Sequence, residues 1–257
     1  MITVSKKQRK DIAFLFEGIE DSMVKAYLQG HMGDAYIDSF PDPKYGFITS
    51  GEYSFFGGDP SDAKDMIRRL FDYIDKNTTV AIYSDMKWKD LLLTVTENHP
   101  KEVERYRIVQ KDYVFDEKKL NGYIDSLPGK YTLARFNDHI YDLAMSAEWS
   151  KEFCETFASA EDYLKKGFGY AALYDGELVA GASTMTVYDG GEETQVATRY
   201  DHRGGGLAIA CSAALLLECQ RRGIRACWDA ANSASKHIAL KLGYEDGGVY
   251  STVHMHR

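Results

Sequence analysis

The sequence lacks both a hydrophobic run long enough to cross a membrane and the pattern of a secretion signal. Its longest strongly apolar run, 207–217, is interrupted by Ser212 and is shorter than the roughly 20 residues that a spanning helix needs. The basic residues near the amino terminus are followed by mixed polar and apolar residues, with no apolar core of a signal peptide. We therefore predict that 207–217 is a buried helix and that the protein has no membrane partner.

Closely spaced cysteine pairs and an excess of positive charge are lacking as well. Cys154, Cys211, Cys219 and Cys227 show no C-x-x-C spacing, so we expect free thiols, a reducing cytoplasmic location and no metal site. The 31 Lys and Arg residues are outnumbered by 39 Asp and Glu residues, which gives a formal net charge of −8. That balance argues against a nucleic-acid partner.

The length and composition allow a sizeable hydrophobic core. The chain has 257 residues, of which 44% are hydrophobic and 27% are charged, enough for one large domain or two of ordinary size. Pro128 and Gly129 come together between patterned segments and predict a domain seam. We expect one domain at 1–127 and a second at 128–257.

The second half of the chain has the pattern of a meander followed by two helices. Three extended runs are joined by Asp175-Gly176 and by Asp189-Gly190-Gly191, and Asp-Gly is the sequence signal of a tight β-hairpin. A helical pattern, an extended run and a second helical pattern follow, and the two helices end at Gly223 and Gly243. This order predicts an α+β fold built on one mixed sheet.

A glycine-rich turn opens the first of those two helices. The residues are Arg203-Gly204-Gly205-Gly206-Leu207-Ala208. Glycines let a ligand approach the backbone closely, and the first amides of a helix have no partners within it and lie at the positive end of its dipole. Such a turn is suited to phosphate binding, and an ordinary strand-to-helix turn is the alternative.

Two common phosphate motifs do not fit this turn. A Walker A loop needs Gly-Lys-Ser/Thr, whereas Gly206 is followed by Leu207 and Ala208. A dinucleotide fingerprint needs a third glycine where this sequence has Ile209, although Asp229 is placed where a ribose-binding acid would be. Nicotinamide binding is therefore kept only as a minor alternative.

The surrounding residues resemble the Gcn5-related N-acetyltransferases, the GNAT family. Arg203-x-x-Gly206-x-Ala208 is similar to the family's R/Q-x-x-G-x-G/A motif, and Asn232 followed by Leu242-Gly243-Tyr244 is similar to its second motif. The resemblance covers about half the chain. Within the family, 228–232 and 55–59 look most like the two-domain, zwittermicin-resistance-type subgroup.

The resemblance implies an architecture and a set of cofactor contacts. It implies a GNAT-like C-terminal domain, with a central mixed, mainly antiparallel sheet flanked by helices, and a smaller α/β N-terminal domain that is a degenerate copy, a lid or an acceptor-recognition surface. The pyrophosphate of acetyl-CoA would bind the amides of the turn, and its pantetheine arm would lie between diverging strands. The residues implied in cofactor binding are Val196, Thr198, Arg203, Gly204, Gly205, Gly206, Leu207, Ala208, Asn232 and Ser235.

The catalytic groups are less evident than the cofactor contacts. Backbone N–H groups of Val196 and Ala197 are expected to polarise the thioester carbonyl. Glu193 and Glu192 are candidate bases for an ammonium substrate, whereas Gln195 cannot act as one. Many family members place a tyrosine, as the acid, seven residues after the asparagine, where this chain has Ala239.

The resemblance favours one function over two others. We expect an enzyme that transfers acetyl from acetyl-CoA to an amine of a small molecule, acting as a monomer or homodimer without a metal. An acyl-CoA-binding sensor without turnover is the first alternative, because Gln195 and Ala239 do not match the catalytic pattern. An NAD(P)-binding oxidoreductase is the second.

Overall fold

The computed structural model describes residues 1–95, 99–111 and 114–257. The strands, in chain order, are β1 Ile2–Thr3, β2 Asp34–Ile37, β3 Tyr45–Ser50, β4 Tyr53–Gly58, β5 Thr78–Tyr83, β6 Lys101–Val109, β7 Thr132–Arg135, β8 Gly169–Tyr174, β9 Glu177–Tyr188, β10 Gly191–Thr198, β11 Arg225–Cys227, β12 Asp229–Ala230 and β13 Glu245–His256. The α-helices are α1 Ser22–Gln29, α2 Lys64–Arg68, α3 Met86–Val95, α4 Glu117–Asp125, α5 Asp138–Met145, α6 Ala160–Lys166, α7 Leu207–Arg222 and α8 Ser233–Leu242. Short 3-10 helices occupy Arg9–Phe16, Pro60–Asp62, Leu70–Asp72, Lys151–Phe153 and Tyr200–His202.

The chain divides into two compact units. The first contains Met1–Arg105 and Tyr250–Arg257, and the second contains Tyr106–Val249. The seam that we predicted at Pro128 falls inside the second unit, because α4 packs on α7 and its fully buried Leu120 belongs to that unit's core. In the described ranges, no helix is long and apolar enough to cross a membrane.

The first unit is built on strands in the order β1-β2-β3-β4-β5-β13, with β4 and β5 parallel and the other neighbours antiparallel. Its core packs Phe47 and Phe56 of the sheet against Trp88 of α3. The indole Nε1 of Trp88 donates to the carbonyl of Gly58 at 2.9 Å, which satisfies the one polar atom of a buried side chain.

The second unit carries a five-stranded sheet in the order β11-β10-β9-β8-β7. Only the β10 and β11 strands of this sheet run parallel among the described pairs; the others are antiparallel, as the hairpin signals predicted. Asp175 and Gly176 both adopt positive φ, at 49° and 83°, in the two-residue turn between β8 and β9. The mixed, mainly antiparallel sheet flanked by helices is confirmed.

Helix α7 covers one face of this sheet, where its small residues allow a close approach. Cys211 and Ala213 are buried in one core with residues of β8 and β9. The helix ends at Gly223, whose φ of 67° directs its amide back to Cys219 and Gln220 as a left-handed cap. The other face of β9 packs on Phe153 and on Tyr163 of α6.

Candidate functional site

The glycine turn presents free amides at the start of α7. Gly206 is the N-cap, with a φ of 77°, and Ala210 is the first residue of the helix whose amide bonds back to it, at 3.1 Å. In the part of the chain that the structure describes, the amides of 204–209 have no acceptor. A Cβ at Gly204 or Gly206 would meet nothing within 4 Å, so the space in front of the turn is open. An anion can reach these amides without displacing another residue.

Arg203 braces the turn against the end of β10. Its Nε donates to the carbonyl of Thr198 at 3.2 Å, and its guanidinium lies over the ring of Tyr200. Neighbouring His202 is largely enclosed: its Nδ1 lies 3.1 Å from the hydroxyl of Tyr131, and its Nε2 lies 2.9 Å from a guanidinium nitrogen of Arg199. The turn is thus fixed on both sides by side chains.

Strands β10 and β11 separate close to this turn. The first parallel pair is Gly191 with Arg225 and the last is Glu193 with Cys227. The described register contains no pair beyond that point. Strand β10 continues to Thr198, paired only with β9. One edge of 194–198 is therefore unpaired, as the predicted divergence of these strands requires.

The register decides which amides point to that open edge. The amide of Arg199 donates to the carbonyl of Val179 in β9 at 2.8 Å, and antiparallel strands alternate the direction of their N–H groups. Ala197 therefore points toward β9, whereas Val196 and Thr198 point to the open edge. The prediction of Ala197 as an oxyanion donor conflicts with this register, and Val196 has the required orientation.

The second motif forms the start of α8. Asn232 is its N-cap, and its Oδ1 accepts from the amide of Ser235 at 3.0 Å. The hydroxyl of Ser235 accepts from the indole Nε1 of Trp228 at 3.0 Å. Both side chains therefore have a structural role, and the amide nitrogen of Asn232 and the hydroxyl proton of Ser235 remain available to a ligand.

No acid takes the place of the missing tyrosine at the described residues of α8. Ala239 is fully buried in the core. Tyr244, which follows the helix, donates its hydroxyl to the carbonyl of Ala226 at 2.9 Å, and burial raises its pKa well above the usual value. Tyr244 is therefore a core residue.

Glu192 lies on the face of β10 that α7 covers. Its side chain has no solvent exposure, and its Oε1 accepts from the hydroxyl of Thr194 at 2.6 Å, with the thiol of Cys219 at 3.8 Å. Its Oε2 has no hydrogen-bond partner. Burial raises the pKa of Glu192 to about 8, an effect that the hydrogen bond from Thr194 opposes.

Glu193 lies on the opposite face, at the point where the strands separate. Its Oε1 accepts from the amide of Asp229 at 3.0 Å, and it pairs in register with Cys227. The thiol of Cys227 lies 3.2 Å from the hydroxyl of Tyr188, and burial together with the charge of Glu193 raises its pKa to about 12. Both glutamates, the candidate bases of the sequence, are buried.

The structure adds one carboxylate that sequence reasoning missed. Glu152, in the 3-10 helix Lys151–Phe153, accepts a hydrogen bond from Nε2 of Gln195 at 2.6 Å. The two residues are 43 positions apart, so no local spacing could have paired them. Among the described residues, no group of His, Cys, Asp and Glu is arranged to hold a metal ion.

Comparison with known proteins assigns this arrangement to a family. A family model described as GNAT acetyltransferase matches residues 13–253. An uncharacterized N-acetyltransferase of Bacillus subtilis strain 168, YdfB, is 26% identical over 224 residues, covering 83% of this chain and 82% of that protein.

Solved structures agree with this assignment. A GCN5-related N-acetyltransferase-like protein from Streptococcus suis 89/1591 is 31% identical, with a TM-score of 0.88, covering 98% of this chain and 99% of that one. A GCN5-related N-acetyltransferase from Kribbella flavida, 20% identical, shares the fold, with a TM-score of 0.59 over 93% and 95% of the two chains. The narrower zwittermicin-resistance-type likeness stays a prediction. The chain belongs to the GNAT acetyltransferase family, and it is therefore an N-acetyltransferase of the acyltransferase class.

Proposed function

We propose that the protein transfers an acetyl group from acetyl-CoA directly to the amine of a small molecule. The observation that carries the proposal is the open edge of β10 beside the free amides of 204–209. The amides and the helix dipole suit a pyrophosphate, and the unpaired edge suits an extended amide-containing arm that bonds as an added strand. Arg203 would steady the turn from the side and offer its terminal guanidinium nitrogens to a phosphate.

The reacting groups follow from the directions of the side chains and amides on β10. When bound, acetyl-CoA supplies an activated acyl group with a thiolate as the leaving group. The outward amide of Val196 is oriented to stabilise charge on a carbonyl oxygen at the open edge. Glu193, held by the amide of Asp229 where the strands part, is the carboxylate placed to take a proton from the acceptor. We assign Glu192 to the core, because it has no solvent exposure.

The leaving thiolate does not need a tyrosine. An ordinary thiol has a pKa near 8.5, so a thiolate is a tolerable leaving group at neutral pH. The buried Ala239 and the bonded Tyr244 are therefore compatible with turnover. We also propose a cytoplasmic location, the compartment that the cysteine spacing predicts. We further propose that the first compact unit takes part in acceptor recognition, the role that we predicted for 1–127.

A thiol-release assay tests the activity. The protein is mixed with acetyl-CoA and a panel of polyamines, amino acids and amine-bearing antibiotics, and the acetylated product is confirmed by mass spectrometry. Acceptor-dependent thiol release is expected for at least one class. A protein that neither releases thiol nor gains thermal stability with acetyl-CoA would contradict the proposal, and stabilisation by NADPH alone would favour an oxidoreductase.

A backbone variant tests the oxyanion donor. Val196→Pro removes an N–H that faces the open edge and costs no bond to β9, a position where strands tolerate proline. We expect kcat to fall on the order of 100-fold or more, since loss of one oxyanion donor has that effect. Val196→Ala keeps the N–H and is the matched control. Equal kcat in the two variants, both with native melting temperatures, would exclude this amide from catalysis.

A further inference from the structure

The face of β10 that points away from α7 carries a set of polar groups that the proposed function uses only in part. We call this set the outer face and define it by Glu152, Thr186, Glu193 and Gln195. Side chains two residues apart on a strand share a face, so Glu193 and Gln195 both point outward, about 7 Å apart along the strand. Thr186 is paired with Glu193 across the ladder and shares its face.

Glu152 reaches this face because its segment is anchored to β9. The carbonyl of Phe153 accepts from the hydroxyl of Ser183 at 2.8 Å, and the hydroxyl of Thr156 donates to the carbonyl of Met185. These bonds hold the residues that directly follow Glu152 against β9. The 2.6 Å bond from Gln195 then fixes the carboxylate itself. A hydrogen bond of this length to a charged group holds the carboxylate more firmly than a bond between two neutral groups would.

The outer face also contains a polar atom with unmet bonding capacity. Thr186 is fully buried, and its hydroxyl has no hydrogen-bond partner. Such groups are rare in folded proteins, and an ordered water or a bound ligand supplies the partner. The Nζ of the neighbouring Lys151 is bonded to Glu148 at 2.5 Å, and its charge also interacts with that of Glu152. The outer face thus carries Glu193, the carboxylate of Glu152 bonded to Gln195, and the unsatisfied hydroxyl of Thr186.

We propose that Glu152, positioned by Gln195, binds the ammonium group of the acceptor next to Glu193. The inference rests on the proposed function and narrows its substrate class to primary aliphatic amines, which are cationic at neutral pH. An ammonium group has three N–H donors, and the acceptors of the outer face suit it. The carboxylate of Glu152, held by the neutral amide of Gln195, places a negative charge beside the strand where Gln195 itself carries none.

The chemical step balances with these groups. The ammonium gives one proton to the carboxylate of Glu193 while Glu152 keeps the nitrogen in place. The nitrogen then forms a bond to the thioester carbonyl carbon, and the carbon–sulfur bond breaks. The second proton lost by the nitrogen is taken by the departing thiolate. Glu152 is a binding residue in this scheme, and Gln195 is a positioning residue.

Glu152→Gln tests the inference, with Glu148→Gln as the matched control. Glu148 lies on the same segment but is exposed. The acceptors are tyramine and spermidine, which are ammonium ions at pH 7.5, and p-anisidine, which is largely neutral. We expect Glu152→Gln to raise KM for the two ammonium acceptors on the order of 10- to 100-fold, to change KM for p-anisidine by less than about threefold, and to leave acetyl-CoA affinity unchanged. Glu148→Gln should match the wild type.

Gln195→Leu supplies an independent readout. It should raise KM for the ammonium acceptors in the same direction, and its combination with Glu152→Gln should be no worse than Glu152→Gln alone, because both changes remove one interaction. Equal effects of Glu152→Gln and Glu148→Gln would overturn the inference, as would equal losses for charged and neutral acceptors. A wild type that binds acetyl-CoA but shows neither turnover nor a melting-temperature shift with either ammonium probe would also overturn it. Failure to bind acetyl-CoA would instead refute the proposed function.

Discussion

Gly205→Asp places a negative charge in the glycine turn with little strain. Gly204 and Gly206 have φ values of 80° and 77°, which residues with a side chain adopt only with strain, whereas Gly205 does not have a positive φ. A Cβ at Gly205 would meet the carbonyl oxygen of His202 at 3.6 Å and Leu207 at 3.9 Å, which are ordinary contacts. An effect on ligand binding can therefore be separated from an effect on folding.

The expected magnitude follows from Coulomb's law. At about 6 Å, two unit negative charges repel by about 0.7 kcal/mol in water and by about 2.8 kcal/mol at an effective dielectric constant of about 20. Affinity for acetyl-CoA should therefore fall by about 3- to 100-fold. The free protein should respond in the opposite direction, because a carboxylate near the start of α7 is favoured by the helix dipole by about 0.3 to 1 kcal/mol.

Isothermal titration with acetyl-CoA measures the first effect, and thermal unfolding without ligand measures the second. Gly205→Asn is the neutral control, and its affinity should stay within about threefold of the wild type. The loss caused by Asp should shrink at 1 M salt, where the screening length is about 3 Å. Unchanged affinity of a stably folded Gly205→Asp protein, or an equal loss with Asn, would refute pyrophosphate binding at this turn.

Two further perturbations test the second motif and the buried acid. Asn232→Asp keeps the cap of α8 but removes the amide donor, so we expect a native melting temperature and about a fivefold rise in KM for acetyl-CoA. An unchanged KM would mean that Asn232 only caps the helix. The pKa of Glu192 is about 8 in the folded state, against 4.5 for an unperturbed glutamate, so the folded state binds one more proton between these pH values. The stability that this proton contributes is fully present below pH 4.5 and is lost as pH rises through 8. Glu192→Gln should remove this loss in urea unfolding measured from pH 5 to 9, and parallel stability curves for the two proteins would contradict the raised pKa.

Local sequence signals predicted most of the second unit. The hairpin at Asp175 and Gly176 formed because that pair adopts the positive φ angles of a tight turn. Asn232 caps α8, and Gly223 closes α7, for equally local reasons. The free amides of 204–209 follow directly from a helix that begins at a glycine. Each of these features depends on residues within a few positions of one another, and their chemistry is visible in the sequence.

Long-range packing decided what the sequence left open. The strand register turned the amide of Val196 toward the open edge and that of Ala197 toward β9, and it placed Glu192 and Glu193 on opposite faces of β10, although each pair is adjacent in sequence. Adjacent residues of a strand point their amides to opposite edges and their side chains to opposite faces. Only the pairing with the partner strand determines which residue points to which side.

Long-range packing also explains why Glu152 lies on the outer face. The sequence by itself determined the family motifs, the glycine turn and the order of strands and helices, because these depend on short-range propensities. It also showed that Gln195 is no base. Only the tertiary structure brought Glu152 to Gln195 across 43 residues, because packing of its segment against β9, and no local preference, sets that contact.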